Sequence, residues 1–79
     1  MDFNLRRQLE ELAERLRHHG PPGPRTEELQ SHVSDALEQG RHEGLGERLE
    51  EAAVEFEAEH PDLSTTLLRV ADALSAGGI

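Results

Sequence analysis

Residues 45–74 read LGERLEEAAVEFEAEHPDLSTTLLRVADAL, and this stretch decides the fold. Its apolar side chains recur at Leu45, Leu49, Ala52 and Phe56 and then, beyond His60-Pro61-Asp62, at Leu63, Leu67, Val70 and Leu74. Steps of four, three and four residues return to one side of an α-helix, because each residue advances about 100° around the axis. The same steps occur at Leu5, Leu9, Leu12 and Leu16, and a shorter version runs through Leu29, Val33 and Ala36 with Leu37 alongside. The pattern predicts an all-α fold. Three to four short amphipathic helices are expected as antiparallel hairpins or a small coiled-coil-like bundle, within a single domain over residues 1–79, because short linkers favour antiparallel neighbours.

Breakers and caps set the expected boundaries. The first helix spans about Asp2 to Arg17 and stops before His18-His19-Gly20-Pro21-Pro22-Gly23-Pro24, where prolines and glycines exclude helix. The second starts at Thr26, whose hydroxyl can cap free amides while Glu27 and Glu28 sit at the positive end of the dipole, and stops near Gly40. Gly40 to Gly46 reads as a second linker, although the glycines leave open whether it is helical. Leu45 to His60 forms a third helix ended by Pro61, and Asp62 or Ser64 caps a fourth that runs to Leu74 before Gly77-Gly78 releases Ile79.

At 79 residues the chain has room for one domain whose core is small, so completion of the fold by oligomerisation is expected. Hydrophobic residues make up 34% and charged residues 32%, a polar balance that the periodic leucines keep on the folded side. No cysteine is present, which excludes disulfides and cysteine-ligated metals. The longest apolar run falls far short of a membrane span, and the alternation of arginine and glutamate near the N-terminus offers no signal-peptide core. The expectation is a soluble cytoplasmic protein.

Charge is spread unevenly. The formal net charge is -9 and all eight basic residues are arginines. Residues 1–25 hold five arginines against four carboxylates, whereas from Thr26 onward three arginines face thirteen carboxylates. This balance would repel a phosphate backbone, and with only Phe3 and Phe56 as aromatics there is no platform on which bases could stack. No nucleic-acid partner is expected. Arg6 with Glu10, Arg7 with Glu11, and Glu11 with Arg15 lie one helical turn apart and add about 0.3 kcal/mol each. Glu47, Glu51, Glu55 and Glu59 repel along the third helix, which is expected to draw the arginine-bearing first helix against it.

Several motifs invite a chemical reading, and each has a plainer one. His60-Pro61-Asp62 between two helices is the tripeptide by which J-domain cochaperones engage their ATPase, but the acidic residues Glu55, Glu57 and Glu59 before it invert the required charge. Pro61 as helix stop and Asp62 as helix start explain it. Glu28, His32 and Asp35 share a helical face and His18-His19 are adjacent, yet neither set closes a metal's coordination shell, so surface histidines are the expected account. Pro21-x-x-Pro24-Arg25 has the form of a polyproline ligand and is better explained as a rigid helix connection. Paired glutamates on the third helix lack an evident pocket that would raise a pKa for acid catalysis. No enzyme activity, catalytic residue, cofactor or metal is expected.

The run from Glu47 to Pro61, followed by Leu63, Leu67-Leu68, Val70-Ala71-Asp72-Ala73-Leu74 and the ending Gly78-Ile79, resembles a family of small bacterial proteins catalogued as a domain of unknown function, number four-four-zero-four. The likeness covers about half the chain, and the first helix is similar only in character. The chain departs from it in the proline-rich linker and at Gly44 and Gly46, where better helix formers are expected. The resemblance implies architecture and a bacterial, cytoplasmic origin without naming a reaction.

Two functional readings follow. In the leading one the chain is a non-enzymatic self-association or adaptor module whose stripe of Leu5, Leu9, Leu12, Leu16, Leu45, Leu49, Phe56, Leu63, Leu67, Leu68, Val70 and Leu74 buries internally and against a second copy, as a homo-oligomer would. Leu68 lies off the stripe beside Leu67 and is placed to face another subunit. In the alternative, an acidic face of Glu51, Glu55 and Glu59 occupies a basic groove on an unknown protein partner. Salt separates the two: the acidic contact weakens as ionic strength rises, and the leucine contact persists.

Overall fold

The computed structural model describes residues 3–77. Four helices follow one another: α1 (Phe3–His19), α2 (Pro24–Gln39), α3 (Leu45–Phe56) and α4 (Pro61–Gly77). Each packs on its chain neighbour, and α4 closes the ring against α1. The pairing is antiparallel between α2 and α3, where Arg25 meets Glu55 and Glu28 meets Arg48. It is antiparallel between α3 and α4 too, where Ala53 meets Ser64 and Gly46 lies beside Ala71 and Leu74. The α3–α4 contact is the most extensive and α2–α3 the slightest. The stripes converge on one core of Leu5, Leu9, Leu12 and Leu16 from α1, Leu29, Val33 and Ala36 from α2, and the 4-3-4 sets of α3 and α4, joined by Ala53 and Ala71. The radius of gyration of 11.3 Å matches the value of about 12 Å for a closed chain of this length.

Several boundaries and one pairing differ from expectation. The first helix continues through His18 and His19, because nothing before Gly20 forbids helix and basic side chains suit the negative end of its dipole. The second starts at Pro24, whose fixed φ and missing N–H fit the first helical position. Thr26 is therefore buried within the first turn and makes no cap. Gly40 closes α2 at φ 72° and donates its N–H to the Ala36 carbonyl at 2.9 Å, and Gly44 precedes α3 at φ 76°. Side chains rarely adopt this left-handed backbone, so at Gly44 the departure from better helix formers reflects the turn. The linker is 40–44, and Gly46 is helical.

α3 stops at Phe56, four residues short of His60. Pro61 disfavours helical backbone at the residue before it, and the carboxylates of Glu57 and Glu59 oppose the negative helix end. Residues 57–59 form a turn instead, closed by the His60 N–H on the Phe56 carbonyl at 2.7 Å. Pro61 is the first residue of α4, and the His60 carbonyl accepts the Ser64 N–H at 3.0 Å. Neither Asp62 nor Ser64 caps this helix: the Ser64 hydroxyl crosses to the Ala53 carbonyl at 2.7 Å, in the last turn of α3. The first and third helices, expected to pair, do not pack on each other. Connections of four or five residues hold consecutive helices together, which puts α1 and α3 at opposite corners. The ends of the sequence reading at Asp2 and Gly78-Ile79 lie outside the described residues.

Candidate functional site

Of the twelve stripe residues named from the sequence, eleven are buried within this one chain, Leu5, Leu9, Leu12 and Leu16 on α1, Leu45, Leu49 and Phe56 on α3, and Leu63, Leu67, Val70 and Leu74 on α4. Leu68 is the exception at 48% exposure. The fold reaches this division through register. Ala52, Ala53 and Ala71 bring α3 and α4 together with little side-chain volume between them, and Leu68, about 100° around the helix from Leu67, falls on the groove side of that contact.

Leu68 lines an open groove of about 530 Å³ along the outer side of α4, shared with Thr65, Arg69, Asp72 and Ser75 and walled on the α3 side by Glu50. Among the described residues the charged side chains of Glu50, Arg69 and Asp72 make no ion pair or hydrogen bond, in contrast with the pairs formed elsewhere. Val54, one turn beyond Glu50 on α3, is 72% exposed, and Phe3 at the start of α1 is 74% exposed. Sequence reading missed both residues and the charged groove. The signal for Val54 was its position outside the 4-3-4 set.

The acidic face is divided. Glu51 is exposed on α3 and Glu59 lies in the turn after it. Glu55 is held by Arg25, with Nε at 2.7 Å from Oε2 and Nη2 at 2.9 Å from Oε1. This two-pronged contact fits the planar guanidinium fork to a carboxylate, and it anchors the proline-rich connection to the end of α3. Arg25 thus serves the fold, and Pro24 beside it is helical. Of the pairs expected on α1, Arg6–Glu10 at 3.8 Å and Arg7–Glu11 at 4.0 Å form on the surface.

The histidines take separate places. His18 lies 3.8 Å from Glu14 and His32 3.9 Å from Glu28, which Arg48 also approaches at 3.7 Å. Among the described residues no three His, Asp or Glu side chains gather as metal ligands. His60 sets its ring edgewise to Phe56, with centroids 6.2 Å apart, and shares a cavity of about 400 Å³ with Arg15 and His19 from the end of α1. His60-Pro61-Asp62 is thereby the corner that turns α3 into α4.

The architecture is that of a small all-α domain of four helices. The chain belongs to the family described as a domain of unknown function (DUF4404), whose model matches residues 5–79. The match takes in α1 and α2 as well as the C-terminal half. No curated protein and no solved structure matches the chain. Among the described residues no helix is long and apolar enough to cross a membrane.

Proposed function

We propose that this chain is a non-enzymatic helical interaction module whose contact surface is the outer face of α4 around Leu68. One observation carries the reading: Leu68 stays 48% exposed while its eleven companions on the stripe are buried. A leucine left half-exposed beside a core that is otherwise filled from within costs solubility, and a contact surface accounts for it. The groove beside it is open and mixes an apolar side chain with unpaired charges of both signs, as interface cores and rims do. The acidic alternative has less support, because Glu55 is already committed to Arg25 and Glu59 lies beyond the end of α3.

A photo-crosslinking amino acid placed at Leu68 in the native cells tests the reading. A discrete protein adduct at that position, absent when the same group replaces Glu38 on the exposed end of α2, is expected. The absence of any adduct at position 68 overturns it.

A further inference from the structure

We infer that the occupant of the Leu68 groove is the same face of a second copy, with the two α4 helices antiparallel across a two-fold axis. Leu68 of each copy sits in the other's groove, and Arg69 of each faces Asp72 and Glu50 of the other. The inference rests on the reading of this face as a contact surface and names its partner. A two-fold interface must be complementary to itself, and this patch carries both signs within one helical turn: Arg69 is three residues from Asp72 and lines the groove opposite Glu50. Because these three charged side chains have no ion-pair or hydrogen-bond partner among the described residues, each is available to an incoming surface. An antiparallel crossing centred between positions 69 and 72 sets each arginine against the other copy's aspartate. A cationic foreign helix would suit Glu50 and Asp72 but would meet Arg69 as a like charge; a second copy supplies partners for all three. With a net charge of -9 on each chain, general repulsion opposes association, so the local pairs decide whether it occurs. One helix face is a small interface, and dissociation in the micromolar range is expected.

The test is light scattering after size exclusion, on the full chain over a concentration series reaching millimolar. The wild-type chain is expected to approach twice its 8.8 kDa mass. Arg69→Glu and Asp72→Arg should each raise the dissociation constant at least tenfold, the second even though it makes the chain less acidic and so reduces general repulsion. An equal mixture of the two variants, which pairs Glu at 69 with Arg at 72 across the axis, should recover most of the lost affinity, as should the double variant carrying both changes, with a residual deficit where the new glutamate meets Glu50. Circular dichroism checks that each variant remains helical. A wild-type mass of one chain at every concentration overturns the inference, and so does a tighter Asp72→Arg dimer or a mixture that stays monomeric. In those cases a crosslinked adduct of different mass at Leu68 would still support the contact face itself, whereas the loss of every adduct would remove both.

Discussion

The two hairpins of this bundle are held together by different means. Between α1 and α2 the buried residues are mainly leucines and Val33, with Thr26 and Ala36 as the smaller members. Between α3 and α4 they include Ala52, Ala53 and Ala71, with Gly46 beside Ala71 and Leu74, and a buried hydrogen bond from Ser64 to the Ala53 carbonyl. Small side chains let helix backbones approach, so the second hairpin makes the more extensive contact although α3 is the shortest helix. The difference teaches where specificity lies. Leucine stripes bury area in almost any register, but alanines and a serine aimed at one carbonyl fit in only one, and that register sends Leu68 outward.

The largest expected effect comes from emptying the second hairpin. Leu67 is fully buried, and Leu67→Ala should cost about 3–4 kcal/mol from lost burial and the remaining cavity. Urea denaturation measures it, and a loss near 1 kcal/mol would mean that α3 and α4 are not closely packed. Ser64→Ala removes the hydroxyl on the Ala53 carbonyl and should cost about 1–2 kcal/mol. A neutral result would show that water reaches that carbonyl and that the α3–α4 register is looser than described. Gly46→Ala sharpens the comparison from the other side. A Cβ there meets the Ala71 carbonyl at 3.8 Å and the Leu74 Cβ at 3.9 Å, ordinary contact distances. The change should raise stability by about 0.5–1 kcal/mol through helix propensity, visible as a higher melting temperature. Arg25→Gln has the smallest effect: both partners are more than a third exposed, so its loss should stay below about 0.5 kcal/mol and shrink further in high salt. A larger loss would make the ion pair, not the core, the link between the hairpins.

Much of this architecture was legible in the amino-acid order. The 4-3-4 spacing, shortened to Leu29, Val33 and Ala36 in the second helix, located the helices and their buried faces because helical geometry is local, and Leu68 stood out because it broke that spacing. Helix ends were harder to read, since several local preferences compete there. Pro24 overrode the cap at Thr26, the first helix ran past Arg17 through His19, and Pro61 with the carboxylates of Glu57 and Glu59 shortened α3. Net charge misdirected the pairing of the first and third helices, because the length of a connection, not the sign of a surface, decides which helices become neighbours. The groove of Glu50, Leu68, Arg69 and Asp72 was not legible at all. Its members come from two helices, and only the packing of Ala53 on Ser64 brings Glu50 level with Leu68.

Native-state amide hydrogen exchange tests the contrast between the hairpins most directly. Amides of residues 49–53 and 67–71 should exchange only by global unfolding, and those of α2 through smaller local openings. Slowest exchange in α1 and α2, with α3 opening first, would contradict the account of α3–α4 as the more extensive and more specifically packed hairpin.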